Sequence, residues 1–266
     1  MARRRLADFL IRDLKVEGYP LIAITGGGGK TSLMFELARL LKKKGRVVAT
    51  TTAKIAVPSG DWRGGLFIGS ADAAMKKIAS LPRCASVVMA KQRKGDKLHG
   101  FTPGEIDEMH ISGVADRIIV EADGSRKLPF KAYEAWEPPV PRLTALHFVV
   151  AGADVFIKPF GEDVAFRAPL LEERFGARRG AVLSVREAAK ILSSVNEYLK
   201  NSPEQARRVL FINKAELLDE AELEAVFAGL SEVSGYEVLL CASVLKGEVY
   251  FVKEFGITRP HVIKTA

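Results

Sequence analysis

Residues that can bind a polyphosphate stand together near the start of the chain, in the stretch Thr25-Gly26-Gly27-Gly28-Gly29-Lys30-Thr31-Ser32. The apolar run Leu21–Ile24 precedes this stretch, and apolar residues at helical spacing follow it from Leu33 onward. A strand, a glycine turn and a helix start form an anion site, because the first N–H groups of a helix are unpaired and carry partial positive charge. Lys30 can reach the outer phosphates, and the Thr31 hydroxyl can ligate Mg²⁺. We therefore predict a P-loop over residues 25–32, with a nucleotide in contact with Gly26 through Ser32.

The loop is shorter than the common P-loop pattern. Ile24 stands where that pattern has its first glycine, so the form that fits is Gly26-x-x-Gly29-Lys30-Thr31. The alternative is a flexible glycine-rich turn in which Lys30 is solvated. The strand before the loop, the helix after it and the Lys-Thr-Ser ending favour nucleotide binding.

Carboxylates follow a second apolar strand, in the stretch Glu121-Ala122-Asp123-Gly124. Such a strand end suits Mg²⁺ coordination and the polarisation of a water beside a terminal phosphate. We predict that Glu121 ligates the metal with Thr31 and that Asp123 orients the water or serves as a second metal ligand, so that Lys30, Glu121 and Asp123 carry catalysis. Thr51, at the end of a strand over residues 46–52, is a third candidate metal ligand; a purely structural threonine is the alternative.

Two later strand ends carry residues that can read a base. Asn213-Lys214-Ala215-Glu216 ends one strand, and Ala242-Ser243 ends the next. They resemble the two base-reading elements of GTPases, in which an acidic side chain accepts from the guanine ring, a lysine stem covers the base and an amide of the second element meets the guanine oxygen. Here Glu216 replaces the usual aspartate and the Ala-Ser order is reversed, so the sequence leaves open whether GTP or ATP is bound.

The elements around these motifs predict one α/β domain over residues 1–266. Strand, P-loop, helix and strand form a βαβ unit, which implies a parallel sheet with its ligands at the carboxyl ends of the strands. We predict a P-loop NTPase-like fold with about seven mostly parallel strands and helices on both faces. Helical or capping patterns indicate helices over 5–16, 31–44, 70–81 and 103–109, and from Ser184 to about Leu199.

Composition is that of a globular protein, with 48% hydrophobic and 27% charged residues. The apolar runs fall short of the ~20 residues that a membrane crossing needs, and no signal-peptide core is present, so we expect a cytoplasmic protein without membrane contact. The net charge of +8 is spread along the chain. Because no nucleic-acid module accompanies it, we expect no nucleic-acid partner.

The motifs together resemble known families. Gly-x-x-Gly-Lys-Thr with Glu-x-x-Gly and Asn-Lys-x-Glu is similar to the GTPases that load metals into enzymes, and the short loop with a later Thr-Thr pair is similar to the ATP site of Mur-type ligases. Over the whole chain the sequence resembles the YqeC family of selenium-dependent hydroxylase accessory proteins. The residues that carry this resemblance are Thr25–Ser32, Thr50–Ile55, Glu121–Ser125 with Lys127 and Lys131, and the segment from Gly152-Ala153-Asp154 to Arg167-Ala168-Pro169.

The YqeC resemblance implies a role in maturing selenium-dependent molybdenum hydroxylases, with such a hydroxylase or its molybdenum cofactor as partner. We therefore expect a P-loop nucleoside triphosphatase that binds and hydrolyses GTP or ATP with Mg²⁺ during this maturation. Two other functions stay open. One is an ATP-dependent ligase or transferase acting on a cofactor, and the other is a nucleotide-sensing chaperone that does not hydrolyse.

Overall fold

The computed structural model describes residues 3–58 and 62–256. Within these residues the strands are β1 (Arg4–Arg5), β2 (Leu21–Gly26), β3 (Val47–Thr51), β4 (Lys54–Ala56), β5 (Gly65–Ile68), β6 (Ser86–Ala90), β7 (Gln92–Lys94), β8 (Lys97–His99), β9 (Arg117–Glu121), β10 (Phe130–Lys131), β11 (Leu146–Gly152), β12 (Ala165–Phe166), β13 (Arg207–Asn213), β14 (Val238–Ser243) and β15 (Glu248–Glu254). The α-helices are α1 (Leu6–Asp8), α2 (Lys30–Leu41), α3 (Ala71–Ala79), α4 (Pro103–Ile111), α5 (Ala168–Phe175), α6 (Val185–Leu192) and α7 (Glu220–Leu230).

One large sheet organises these elements. It has ten strands in the order β1-β15-β14-β13-β11-β2-β9-β3-β6-β5. The strands from β14 to β5 are all parallel, and β15 and β1 join antiparallel at one edge. The α/β class and the mostly parallel sheet are confirmed. The expected count of about seven strands is too low, because β1 has only two residues and β15 is only partly buried, so neither forms a continuous apolar run.

Alternate residues of the strands face different apolar cores. In β2, Ile22 and Ile24 pack with α2 and the N-terminal helix, whereas Leu21 and Ala23 pack with α3 and α4. On that second face, the far half of the sheet packs with α5, α6 and α7. Successive side chains of a strand point to opposite faces, so strands that are apolar at every position need cover on both sides. The prediction of helices on both faces is confirmed.

The helix starts differ in how their N–H groups are satisfied. Side chains of Ser70, Thr102, Ser184 and Asp219 cap α3, α4, α6 and α7, and the capping box predicted at Ser184 is present. Helix α2 instead follows Gly29, which has a left-handed backbone, and no side chain in the described part of the chain caps it. A helix start without a cap leaves its first N–H groups available to an anion.

Two helix predictions need adjustment. The helix from Ser184 ends at Leu192 rather than near Leu199, because the following turns bury Tyr198 and let its hydroxyl accept from the Lys131 backbone N–H at 3.0 Å. The N-terminal helix is short, with α1 continued by a π-helical turn to Asp13.

The segment 91–111 contains α4, the helix that we expected over residues 103–109. Before that helix it forms a hairpin, β7–β8, which pairs with β4. In the part of the chain that the structure describes, no helix is long and apolar enough to cross a bilayer.

Candidate functional site

The glycine loop between β2 and α2 is held tightly by its neighbours. Gly26, Gly28 and Gly29 have φ of 98°, 76° and 119°, a region that L side chains rarely adopt. A Cβ on Gly27 would lie 2.6 Å from the carbonyl oxygens of both Leu128 and Pro129. The loop is therefore closely packed against its neighbours, which argues against the alternative of a flexible turn.

Lys30 is buried at the first position of α2, with 3% of its surface exposed. Its Nζ donates to the Gly26 carbonyl at 2.6 Å and to the Ser125 hydroxyl at 3.2 Å, and it lies 3.1 Å from Asp123 Oδ1. A solvated Lys30, the other half of the alternative, is excluded. The ammonium group sits where the loop closes on the carboxylates.

The two predicted carboxylates reach the loop from β9, the strand beside β2. The register pairs Ile24 with Glu121. The Thr31 hydroxyl donates to Glu121 Oε2 at 2.6 Å, and the Gly26 N–H donates to Asp123 Oδ2 at 2.9 Å. The hydroxyl and the carboxylate predicted to share a metal are thus adjacent, and both are oxygen donors of the kind that Mg²⁺ prefers.

Burial and neighbouring cations set the ionisation of these carboxylates in opposite directions. Burial raises the pKa of Glu121 above its usual value, and the nearby Lys30 and Thr31 offset only part of that rise. For Asp123, burial acts in the same direction, but the ammonium groups of Lys131 and Lys30 outweigh it and lower the pKa. Asp123 therefore stays ionised to lower pH than an ordinary carboxyl, and Glu121 takes up a proton at higher pH than Asp123.

Lys131 extends the charge cluster away from the loop. It is completely buried, its Nζ lies 3.3 Å from Asp123 Oδ2 and 3.5 Å from Glu137 Oε2, and it donates to the Gly124 carbonyl at 2.9 Å. Glu137 in turn pairs with Arg167. From the sequence we named Lys131 only among the residues that carry the YqeC resemblance. The burial of Lys131 depends on how residues 130–137 fold over the site.

Thr51 lies close to the carboxylates but already has two backbone partners. Its hydroxyl donates to the Glu121 carbonyl at 2.6 Å and accepts from the Ala53 N–H at 2.9 Å. These bonds support the structural reading and leave the hydroxyl oxygen one lone pair for a metal. In the described residues, no three His, Cys, Asp or Glu side chains gather as a metal site.

The candidate base-reading residues lie beside the loop. Asn213 Nδ2 donates to the Gly28 carbonyl at 2.7 Å, and its Oδ1 accepts from the Val244 N–H at 3.0 Å. The Asn213 side chain therefore connects the glycine loop to the end of β14. The Ser243 hydroxyl is buried and accepts from the Lys246 N–H, which places it inside the turn after β14.

Lys214 and Glu216 follow Asn213 at the edge of a cavity. The Lys214 Nζ lies 2.9 Å from Asp154 Oδ2, so Asp154, at the end of β11, is a member of the site that we did not assign from the sequence. Its signal was the Gly-Ala-Asp ending of a strand next to β2. Glu216 is half-buried, and within residues 3–58 and 62–256 its Oε2 accepts no hydrogen bond.

The cavity has a volume of about 940 Å³ and runs from the glycine loop along the exposed side of α2. Gly29 and Ser32 line its inner end, Asn213, Lys214 and Glu216 line one wall, and Phe35 and Trp62, whose ring centroids are 4.9 Å apart, form an aromatic surface. Ligand sites in proteins typically measure about 300–1,000 Å³. Two of the predicted phosphate residues therefore border the same space as three of the predicted base residues, whereas Lys30, Glu121 and Asp123 lie outside its lining.

Comparison with known sequences identifies the family. A sequence model of the family described as YqeC protein matches residues 22–169, more than half of the chain. The chain belongs to the YqeC family. It is also 33% identical over 208 residues to the uncharacterized protein YqeC of Escherichia coli (strain K12), across 77% of this chain and 80% of the relative. No solved structure matches the chain.

The YqeC match covers the glycine loop, both carboxylates, Lys131 and Arg167. The match ends before β13, so the wall of the cavity that Asn213 and Glu216 form lies outside the match. The part of the site around the glycine loop and the carboxylates is therefore the part that falls within the family match.

Proposed function

We propose that this member of the YqeC family is a P-loop nucleoside triphosphatase that binds and hydrolyses GTP or ATP with Mg²⁺. The observation that carries the proposal is the uncapped start of α2, where Lys30 and Thr31 stand within hydrogen-bonding or ion-pair distance of Asp123 and Glu121. Phosphoryl transfer at such a loop requires an anion site for the phosphates together with a lysine, a hydroxyl and a carboxylate.

Each of these groups has a role that follows from its surroundings. The α2 amides and Lys30 bind phosphate oxygens, while Thr31 and Glu121 hold Mg²⁺, which supplies charge neutralisation on the phosphates. Because burial raises the Glu121 pKa, metal binding at this carboxylate favours its ionised form and becomes stronger as the pH rises. Asp123, kept ionised by Lys131 and Lys30, accepts a hydrogen bond from the attacking water.

The cavity beside the glycine loop suits a base with N–H donors. Glu216 lines the cavity, its buried Oε2 accepts no hydrogen bond from the residues that the structure describes, and Asn213 fixes the wall that carries it. A carboxylate accepts hydrogen bonds and cannot donate them, so it favours the N–H edge of guanine over the acceptor at the corresponding position of adenine. We place GTP ahead of ATP on this ground.

The cellular role of this activity is part of the same proposal. The resemblance on which we based our expectation associates the YqeC family with maturation of selenium-dependent molybdenum hydroxylases. Nucleotide hydrolysis would then drive a step on such a hydroxylase or on its molybdenum cofactor.

Titration with fluorescent GTP and ATP analogues, with and without Mg²⁺, tests the proposal, with phosphate release followed separately. We expect Mg²⁺-dependent binding that Lys30→Ala abolishes and that Lys43→Ala, a change at an exposed lysine beyond the C-terminal end of α2, leaves intact. Circular dichroism must show that Lys30→Ala is folded, because loss of the Lys30 ammonium group leaves Asp123 with one neighbouring cation fewer. Absence of binding to either nucleotide by the folded wild-type protein would refute the proposal.

A further inference from the structure

A tight turn directly after the carboxylate strand is built from unusual residues. The Leu128 N–H donates to the Ser125 carbonyl at 2.9 Å, and the two central residues, Arg126 and Lys127, have φ of 51° and 66°. Positive φ at both central positions is the mark of a type I′ turn, where glycine, asparagine and aspartate are the usual residues. Here both positions carry long cationic side chains.

Such a backbone is unfavourable for these residue types. A left-handed conformation is strained for non-glycine residues, and strained residues of this kind cluster at ligand clamps and active sites. Glycine or asparagine would form the same turn with less strain. The local fold therefore gives no reason for arginine and lysine here, and the side chains need another explanation.

The turn is attached to the glycine loop at both ends. The Ser125 hydroxyl accepts from Lys30 Nζ at 3.2 Å, and the Leu128 carbonyl accepts from the Gly28 N–H at 2.9 Å. Lys30 and the Gly28 amide are groups that would bind phosphate in the proposed function. The tip of the turn, Arg126-Lys127, thus projects from a base fixed to the phosphate-binding residues themselves.

Of the basic residues Arg126, Lys127 and Lys131, Lys127 is the most available to a ligand, because the other two side chains contact neighbouring residues. Lys131 is buried among Asp123, Glu137 and the Gly124 carbonyl. The Arg126 guanidinium lies over the Phe166 ring at 4.8 Å, which steadies the first half of the turn. Lys127 is exposed at the tip.

We propose that the Ser125–Leu128 turn is a clamp for the terminal phosphate of the bound nucleotide, with Lys127 as the residue that contacts it. This inference rests on the proposed function. A terminal phosphate carries the charge that distinguishes a triphosphate from a diphosphate, and a lysine ammonium binds it as a point charge. The clamp therefore makes the protein selective for the triphosphate and neutralises charge on the phosphoryl group that is transferred.

The test compares two substitutions that remove the same charge and relieve the same backbone conformation. Lys127→Gly removes the proposed contact while suiting the positive φ, so the fold is kept or stabilised. Lys15→Gly is the matched control, because Lys15 is also an exposed lysine with positive φ, at 54°, and lies in another part of the chain. Binding of a non-hydrolysable GTP analogue and of GDP is measured for both variants and for the wild type, with thermal unfolding alongside.

We expect Lys127→Gly to weaken binding of the triphosphate analogue roughly ten- to a hundredfold, the usual effect of losing a hydrogen bond to a charged group. GDP binding changes less than about twofold, and Lys15→Gly leaves both affinities unchanged. Equal affinity of wild type and Lys127→Gly for the triphosphate would overturn the clamp, as would an equal loss for triphosphate and diphosphate. If the wild type binds neither nucleotide, the proposed function itself fails, which is a different result.

Discussion

Removing the Lys131 ammonium tests whether the buried charges of the site hold one another in place. Lys131 and Asp123 are both fully buried, with 3.3 Å between Nζ and Oδ2. Loss of one member of such a pair typically costs about 3–5 kcal/mol, because the remaining charge is left uncompensated. Lys30, 3.1 Å from the other oxygen of Asp123, retains part of the compensation. We therefore expect Lys131→Met to lower the free energy of unfolding by about 3 kcal/mol, near the lower end of that range.

Urea denaturation at pH 7 and thermal unfolding measure this loss. For a chain of this size, 1 kcal/mol corresponds to about 2–4 °C in Tm, so the expected decrease is about 6–12 °C. Lys43→Met, at an exposed position, should stay within about 0.5 kcal/mol of the wild type. A double-mutant cycle then isolates the pair, because Asp123→Asn removes the partner charge and keeps an oxygen for the Gly26 N–H.

We expect the double variant to lose at least about 1 kcal/mol less than the sum of the two single losses. Additive losses within about 0.5 kcal/mol would refute the reasoning, because they would show that Lys131 and Asp123 do not stabilise each other. The pH dependence gives a second check. The Asp123 pKa is lowered in the fold, so its contribution to stability is present above the pKa of an unfolded carboxyl and is lost as the pH falls through the folded value. Lys131→Met raises that pKa and moves the acid loss to higher pH.

Two further predictions concern residues that hold the loop in place. The Nε2 atom of His147, in β11, lies 2.9 Å from Thr25 Oγ1 at the start of the glycine loop. Burial, and then the charge of Arg208, lowers the pKa of His147 from 6.5 to about 4, so the unfolded chain takes up this proton first and stability falls by up to about 3 kcal/mol between pH 6.5 and 4. His147→Gln should flatten that part of the wild-type profile in urea denaturation across this range, and an unchanged slope would contradict the assignment. Gly27→Ala places a Cβ 2.6 Å from two backbone carbonyl oxygens and should cost about 1–3 kcal/mol and weaken nucleotide binding. Gly104→Ala, where nothing lies within 4 Å, is the matched control; a similar loss there would show that tight packing at the loop is not the cause.

The parallel part of the sheet was readable from the sequence because its strands are buried on both faces. Each of β2, β9, β11, β13 and β14 is a short run of apolar residues between turn residues, and that signal needs no knowledge of the partners. The strands that escaped prediction lack it. For example, β7 is Gln-Arg-Lys and fully exposed, and β15 pairs at the sheet edge with only partial burial.

The site was predictable to the extent that it follows from strand ends. Parallel strands collect their carboxyl ends at one edge, so Lys30, Glu121, Asp123 and Asn213 were expected to meet there, and the structure brings them together. Contacts made by irregular segments gave no such signal. The approach of Leu128 to the loop depends on how residues 122–137 fold back across the sheet edge, and no residue type or spacing encodes that path.

The donors proposed for phosphate already have protein acceptors in this structure, and that fact links ligand binding to the rest of the site. The Gly26 N–H is bonded to Asp123, the Gly28 N–H to the Leu128 carbonyl, and Lys30 to the Gly26 carbonyl. On the proposed function a phosphate competes with these acceptors, so nucleotide binding rearranges the hydrogen bonds between the glycine loop and the segment from Asp123 to Leu128. Because Lys131 joins Asp123 to Glu137, the arrangement of this segment is coupled to the fold over the sheet edge. Nucleotide occupancy and the position of residues 123–137 are therefore linked, and a substitution that alters the position of this segment is expected to change nucleotide affinity.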